Sequence, residues 1–303
     1  MRLINPSNLL NLINYYTKRV QFVFNKLFKP KQEISQETPS KVKQALPLQT
    51  KNYFWNPKNG LPNIGDYLAY ETVNFVLNLK DLHPLDISVG KILSIGSVLH
   101  FANDGDTVWG TGRNGKISSE KHSFSSLDVR AVRGPRTKDY LEKKGITVPE
   151  VFGDPGILAP LIYPKTQLDT VYASDTQDVL IVPQLNDDLS KYADYTNQLV
   201  SPRQLPGNFL GSLTKAKKVI ASSLHGLILA EAYGIPAVYY SSGSGENIFK
   251  YHDYYEGTGR TEFAVGTSIE ECMELETSPI PNLRAKQTDL LSSFPFDKYK
   301  QTN

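Results

Sequence analysis

The sequence has only one cysteine, Cys272, among its 303 residues. A disulfide framework and a zinc site built from cysteines both need several thiols, so neither can form within the chain. The five histidines and the carboxylates also show no spacing typical of a metal site, and we expect no bound metal. A single thiol suits a reducing compartment, which predicts a cytoplasmic protein.

Long apolar runs are also lacking. The N-terminal segment contains no stretch that could span a bilayer and no signal-peptide pattern. The apolar residues of positions 9–28 recur instead in steps of three and four, with lysine and arginine largely off that stripe. This pattern predicts an amphipathic helix that lies either peripherally on the inner face of the cell membrane or against the protein's own body. The polar residues 30–49 indicate a linker, so we assign residues 1–50 to a basic tail.

Positive charge is concentrated in that tail. The formal net charge of +2 divides into +6 for the first 50 residues and −4 for the remaining 253. An acidic body without a basic stripe argues against a nucleic-acid partner. Because the chain is about twice as long as an ordinary domain, we expect two folded domains after the tail.

The body alternates short apolar segments with helical patterns. Strands are predicted at residues 91–95, 107–109 and 127–132, and a second series at 179–182, 217–221 and 235–240, with a helix at 224–233. A strand–helix–strand crossover places its strands parallel in one sheet. The sequence therefore predicts an α/β protein with two Rossmann-like domains, residues 51–165 and 166–303, that face a cleft. Ligands of such sheets lie beyond the carboxyl ends of the strands.

The loop after the strand at 217–221 holds the strongest candidate site. Ser222 and Ser223 end the loop, and His225 and Gly226 open the next helix. Backbone amides at a helix start suit an anion, and an imidazole there could contact a phosphate. The structural alternative is that a serine caps the helix while His225 packs inside the protein. The position of the loop at a strand end favours the functional interpretation.

Other candidates have ordinary structural alternatives. Asp66 stands at the first helix of the body, where it either caps the helix or, with His225 within reach, takes a proton from a sugar hydroxyl. Arg133 and Arg136 flank a Gly-Pro pair, either as surface residues or as a bidentate clamp for a carboxylate or phosphate.

The segment that follows the last predicted strand carries weaker signals. Gly243-Ser244-Gly245 lacks the remainder of a dinucleotide or P-loop motif and indicates a turn. Further on, charged residues and histidine alternate with tyrosines over residues 250–255. That mixture is typical either of a surface that contacts sugar or of a half-buried helix.

Seven short motifs, in order along residues 52–260, resemble those of the polysaccharide pyruvyl transferase family. They are Asn63-Ile64-Gly65-Asp66, Gly96-Ser97-Val98-Leu99-His100, Trp109-Gly110-Thr111-Gly112, Val129-Arg130-Ala131-Val132-Arg133-Gly134-Pro135, Gly153-Asp154-Pro155-Gly156, Ser222-Ser223-Leu224-His225-Gly226 with Gly234-Ile235-Pro236, and Lys250-Tyr251-His252-Asp253. The resemblance implies a fold like that of the B-type glycosyltransferases and no cofactor. It also implies an enzyme that transfers pyruvate from phosphoenolpyruvate, as co-substrate, onto two sugar hydroxyls as a cyclic ketal. Where some family members have an arginine before the Leu-His pair, this chain has Ser223.

On this basis we predict a role for each candidate residue. His225 is the acid or phosphate partner, and Asp66 is the base. Donor-binding residues are Arg133, Arg136, Ser222, Ser223 and Gly226, and further donor or acceptor contacts are Gly96, Ser97, His100, Lys250, His252 and Asp253. The acceptor is a glycan of the cell surface or its lipid-linked precursor.

Two alternative functions use the same features. A glycosyltransferase that takes a nucleotide sugar has the same architecture, and fold does not fix function. A non-catalytic glycan-binding protein would hold sugar through the aromatic residues at 251–255 without turnover. Incubation with phosphoenolpyruvate and with a panel of nucleotide sugars distinguishes these functions.

Overall fold

The computed structural model describes residues 52–54, 63–87, 90–172 and 175–301, all of which belong to one compact unit, residues 48–303. The amphipathic helix and linker predicted for residues 1–50 lie outside the described residues. Within the described ranges, no helix combines the length and the apolar character needed to cross a membrane.

The first sheet consists of four short parallel strands: β1 (Asn52–Tyr53), β3 (Ile92–Leu93), β4 (Thr107–Trp109) and β5 (Asp128–Ala131), in the order β1-β3-β4-β5. Beside it, β2 (Leu82–Ile87) pairs antiparallel with β10 (Tyr299–Gln301). The three strands predicted for this half are confirmed, although the first is shorter than the apolar run that predicted it.

The second sheet is also parallel. It contains β6 (Gln177–Val182), β7 (Ala216–Ala221), β8 (Ala237–Tyr240) and β9 (Val265–Gly266), in sequence order across the sheet. The register pairs Val219 with Ala237 and Ala221 with Tyr239, which aligns the carboxyl ends of β7 and β8. The predicted α/β fold is confirmed, and its two parallel sheets are consistent with two Rossmann-like domains. The predicted domain boundary at residue 165 stays a prediction.

Nine helices connect the described strands, and local sequence explains where several begin and end. They are α1 (Ile64–Asn78), α2 (Pro135–Glu142), α3 (Ala159–Ile162), α4 (Lys165–Val171), α5 (Pro206–Leu213), α6 (Leu224–Ala232), α7 (Phe249–Gly257), α8 (Ile269–Glu274) and α9 (Arg284–Ser293). Pro135 occupies the first turn of α2, where its missing N–H costs nothing. Gly234 ends α6 in the left-handed region, at φ +73°. Short 3-10 helices occur at Leu99–Phe101, Ser119–Lys121, Pro155–Leu158, Leu189–Tyr195 and Phe296–Lys298.

One large hydrophobic core joins the two halves. Leu68 of α1, Trp109 of β4 and Leu227 of α6 are fully buried in the same cluster. The Trp109 indole also donates a hydrogen bond of 2.9 Å to the Leu290 carbonyl of α9. Because α1 belongs to the first half of the chain and α6 to the second, this shared core places the starts of the two helices side by side.

Candidate active site

A cavity of about 300 Å³ lies where the starts of α1 and α6 meet. Its walls include loops that follow β3, β4, β6 and β7, so it lies beyond the carboxyl ends of strands from both sheets, as predicted for a ligand site. A volume at the small end of the usual range suits a small ligand or part of a larger one. The residues predicted from the sequence that line it are Asp66, Gly96, Ser97, His100, Ser223, His225 and Lys250.

Asp66 contributes a buried carboxyl to this cavity. It does not cap α1, because the Asn63 side chain does so by accepting from the amides of Gly65 and Asp66; the capping alternative for Asp66 is therefore wrong. Burial raises the pKa of Asp66 to about 6, and the nearby His225 opposes that rise. Its Oδ2 atom has no hydrogen-bond partner among the described residues. A carboxyl with a pKa near neutrality is suited to exchange protons with a substrate.

His225 lies in the first turn of α6, which Ser223 caps by accepting from the Gly226 amide at 3.4 Å. The imidazole packs against Gly65 of α1. A Cβ atom added at Gly65 would lie only 2.3 Å from His225 Nδ1, so only glycine leaves room for the ring there. On the other side of the ring, Nε2 is 3.7 Å from Oδ2 of Asp154. The ring is thus held between α1 and the turn at Asp154, with 16% of its side chain exposed.

Ser222 and Gly226 do not line the cavity; instead they stabilise the loop between β7 and α6. The Ser222 hydroxyl donates to the buried carboxylate of Asp187, which also accepts from Tyr192 at 2.5 Å and from Ser242 at 2.7 Å. These donors lower the pKa of Asp187, although its burial acts in the opposite direction. A Cβ atom at Gly226 would lie 2.9 Å from Ala221 Cβ, so this glycine allows α6 to pack closely on β7.

Arg133 is fully buried, which contradicts its interpretation as a surface residue. Its guanidinium donates to Asp253 Oδ2 at 3.0 Å, to the Ser97 hydroxyl at 2.7 Å and to the Arg113 carbonyl at 2.9 Å. Gly112 makes room for it, because a Cβ atom there would lie 2.3 Å from the guanidinium carbon. Arg133 therefore supports the Ser97 loop from behind and does not itself line the cavity.

Arg136 is also engaged away from the cavity. It donates to both oxygens of Glu256 on α7, at 2.9 and 2.6 Å, and His252 lies 3.9 Å from the same carboxylate. Asp253 is fully buried and accepts from Thr137 as well as from Arg133. The structure therefore does not bring the predicted arginine clamp, His252 or Asp253 to the cavity wall.

Lys250 places a cation on the cavity wall. Its ammonium group pairs with Glu246, which also pairs with Lys116. Burial lowers the pKa of Lys250, whereas Glu246 opposes that shift. Because this lysine lines the same cavity as His225, it is placed to contact an anion bound there.

The tyrosines of α7 do not form a sugar-binding surface. Tyr251, Tyr254 and Tyr255 are buried, and Tyr251 donates to the Ser222 carbonyl at 2.5 Å. The half-buried helix was thus the correct alternative for residues 250–255, and the expected sugar contact through these tyrosines is corrected. A glycan-binding protein that relies on them loses its structural basis.

Sequence reasoning assigned no role to three residues that organise the site. Asn63 caps α1, Asp187 holds the Ser222 loop, and Asp154 faces His225. A sequence signal existed for Asn63 and Asp154, which each lie within one of the seven quoted motifs. For Asp187 we find no signal, because its partners are brought together by the second sheet.

Two parallel sheets, with a histidine and a carboxylate meeting at their strand ends, define an α/β protein with a potential acid–base site. Comparison with known proteins is more specific. The model of the polysaccharide pyruvyl transferase family matches residues 63–244, more than half of the chain, and the chain belongs to this family. The predicted family is confirmed, and membership supports the prediction of a transferase.

A curated relative is the "Succinoglycan biosynthesis protein ExoV" of Rhizobium meliloti (strain 1021). It is 24% identical to this chain over 221 residues. The alignment covers 70% of this chain and 66% of the relative.

Proposed function

We propose that the protein transfers the pyruvyl group of phosphoenolpyruvate onto two hydroxyls of one sugar, in a surface polysaccharide or its lipid-linked precursor, to form a cyclic ketal. The observation that carries this proposal is that Asp66 and His225 line one cavity in a member of this family. A glycan acceptor follows from the family, and the donor and the ketal product are the proposed details. The reaction as written needs no cofactor.

The donor anion would bind between the start of α6 and Lys250. The cap of α6 uses the Gly226 amide, and no acceptor among the described residues contacts the N–H groups of Leu224 and His225. A helix start contributes only about 0.3–1 kcal/mol toward an exposed anion, whereas millimolar affinity needs about 4 kcal/mol. A charged hydrogen bond from Lys250 would contribute about 1.5–3 kcal/mol more. Lys250 therefore takes the role for which the two arginines were predicted.

The two titratable groups would divide the proton transfers. Asp66 takes the proton of the first hydroxyl as its oxygen adds to C2 of the donor, and His225 gives a proton to the methylene carbon, which becomes the methyl group. The C2–O bond to phosphate then breaks, and the second hydroxyl adds to C2 with loss of its proton to the departing phosphate. The proton held by Asp66 then returns to His225 and replaces the one given to the methyl group, while the second hydroxyl proton leaves with the phosphate. The products are one ketal and one inorganic phosphate, and both residues regain their starting protonation.

Mass analysis of a lipid-linked oligosaccharide incubated with the protein and phosphoenolpyruvate tests the reaction. The expected product is heavier than its precursor by one pyruvic acid less one water. His225→Gln should abolish product while circular dichroism and melting temperature stay as in the wild type. Turnover of a nucleotide sugar without phosphoenolpyruvate would refute the proposed reaction.

A separate experiment tests the proposed role of Lys250 as the cation that binds the donor. Lys250→Met should raise the KM for phosphoenolpyruvate by about 10- to 100-fold, the loss expected for a charged hydrogen bond. Lys217→Met is the matched control, because Lys217 is exposed and pairs with Asp178 near the amino end of β7. An unchanged KM in the Lys250 variant would assign the anion to another cation.

A further inference from the structure

Asp154 is a fully buried carboxylate for which the proposed reaction has not yet required a role. It begins the 3-10 helix Pro155–Leu158, where its Oδ1 accepts from the Gly156 amide at 2.9 Å. The side chain has no exposed surface, and Oδ2 has no hydrogen-bond partner among the described residues. Capping therefore occupies one oxygen and leaves the other unexplained.

That second oxygen faces the candidate acid. His225 Nε2 lies 3.7 Å away, is itself buried, and also has no hydrogen-bond partner among the described residues. A buried polar atom without a partner costs about 1–3 kcal/mol, so two such atoms facing each other across a short gap favour a shared proton. A distance of 3.7 Å is too long for a hydrogen bond, but catalytic hydrogen bonds in ligand-free proteins are often long and shorten in the complex.

We propose that Asp154 is a positioning residue that accepts the Nε2–H of His225. The contact fixes the tautomer of the neutral ring, so that Nδ1 is the nitrogen that takes up a proton and then gives it to the substrate. This inference rests on the proposed function only for its catalytic consequence, because the tautomer is a property of the protein alone.

Asp154→Asn separates the positioning role from the capping role. Asparagine caps helices as well as aspartate does, so the bond to Gly156 is kept. Its side-chain NH₂ cannot accept from Nε2–H and would donate to Nε2 instead, which moves the imidazole proton to Nδ1. The measurement is the ring ¹⁵N chemical shifts of His225, with the other four histidines of the chain as internal references.

The wild type should show the Nε2–H tautomer and the variant the Nδ1–H tautomer. The kcat for pyruvyl transfer should fall by about 10²- to 10⁴-fold, the usual contribution of general acid–base catalysis, with little change in KM or melting temperature. Asp188→Asn is the matched control, because Asp188 also caps a 3-10 helix, by accepting from the Ser190 amide at 3.0 Å. It should change neither the His225 tautomer nor kcat.

Three results would be decisive. An Nδ1–H tautomer in the wild type would overturn the inference even if the variant failed to fold. If the Asp154→Asn protein keeps the wild-type tautomer and kcat, the positioning role is refuted and Asp154 only caps the 3-10 helix. The expected tautomer change in a protein that transfers no pyruvate would keep the Asp154–His225 contact and refute the proposed function instead.

Discussion

Replacing Asp66 by asparagine should stabilise the folded protein while abolishing transfer. Asp66 is buried at the start of α1, and burial raises the pKa of its carboxyl from the ordinary 3.8 to about 6, despite the opposing effects of His225 and Asn63. Ionisation is therefore harder in the folded protein than in the unfolded chain. The difference corresponds to about 3 kcal/mol of lost stability once the carboxyl is ionised in both states. Asparagine has a similar shape and removes the charge.

The sign and the pH range of this gain follow from the two pKa values. Below about pH 4 the carboxyl is neutral in both states, and the variant gains nothing. As the pH rises from about 4 to 6, only the unfolded chain ionises, so the wild type loses stability relative to the variant. Urea unfolding should therefore give a gain of about 3 kcal/mol at about pH 8 and roughly half of that at about pH 5.

Asp188→Asn provides the control for this measurement. Asp188 is exposed, and its hydrogen bonds with Ser190 lower the pKa of the carboxyl, so removing its charge should bring no gain in stability. If Asp66→Asn is no more stable than the wild type at about pH 8, the carboxylate at Asp66 is not desolvated and the explanation for its raised pKa fails.

Three further predictions concern the same site and its support. The kcat/KM should fall about tenfold per pH unit below pH 6, as Asp66 becomes protonated; a rate profile without this acidic limb contradicts its role as base. Gly65→Ala should lower kcat by about 10²-fold, because the new methyl group must displace the His225 ring. The melting temperature should stay close to that of the wild type. Unchanged turnover would mean that the position of the ring is not critical. Arg133→Met should destabilise the protein by about 3–5 kcal/mol in urea unfolding, because Asp253 keeps its buried charge and its bonds to Thr137 but loses its cationic partner. A loss below about 1 kcal/mol would show that Asp253 finds another partner or a proton.

Strands were predictable from the sequence where the residues of a single segment contain the complete pattern. The strands β4 and β7 appear in the sequence as short apolar runs that end at glycine or serine, and local patterning was enough to identify them. The antiparallel pair of β2 with β10 was not predicted, because it joins segments from opposite ends of the body. Pairing between such distant segments depends on the completed fold and leaves no local pattern.

The candidate site was likewise predictable only where the evidence lies within one segment of the sequence. His225 was identifiable because a serine cap and a strand end surround it in sequence. The burial of Arg133 was not, because its partner Asp253 lies 120 residues further along the chain. Of the two arginines that resemble a surface clamp in the sequence, Arg133 thus forms an internal ion pair and Arg136 a half-buried pair with Glu256.

The buried polar groups near His225 fall into two kinds: carboxylates whose hydrogen bonds are satisfied, and atoms that lack a partner. The carboxylates of Asp187 and Asp253 each accept several hydrogen bonds, which is the rule for buried polar groups. By contrast, Asp66 Oδ2, Asp154 Oδ2 and His225 Nε2 are all buried without a partner among the described residues. A catalytic role is one of the reasons for which native proteins keep such unsatisfied atoms. The satisfied networks fix the loops, whereas the two proposals above assign the transferred protons to these three unsatisfied atoms, so both proposals place proton transfer at His225.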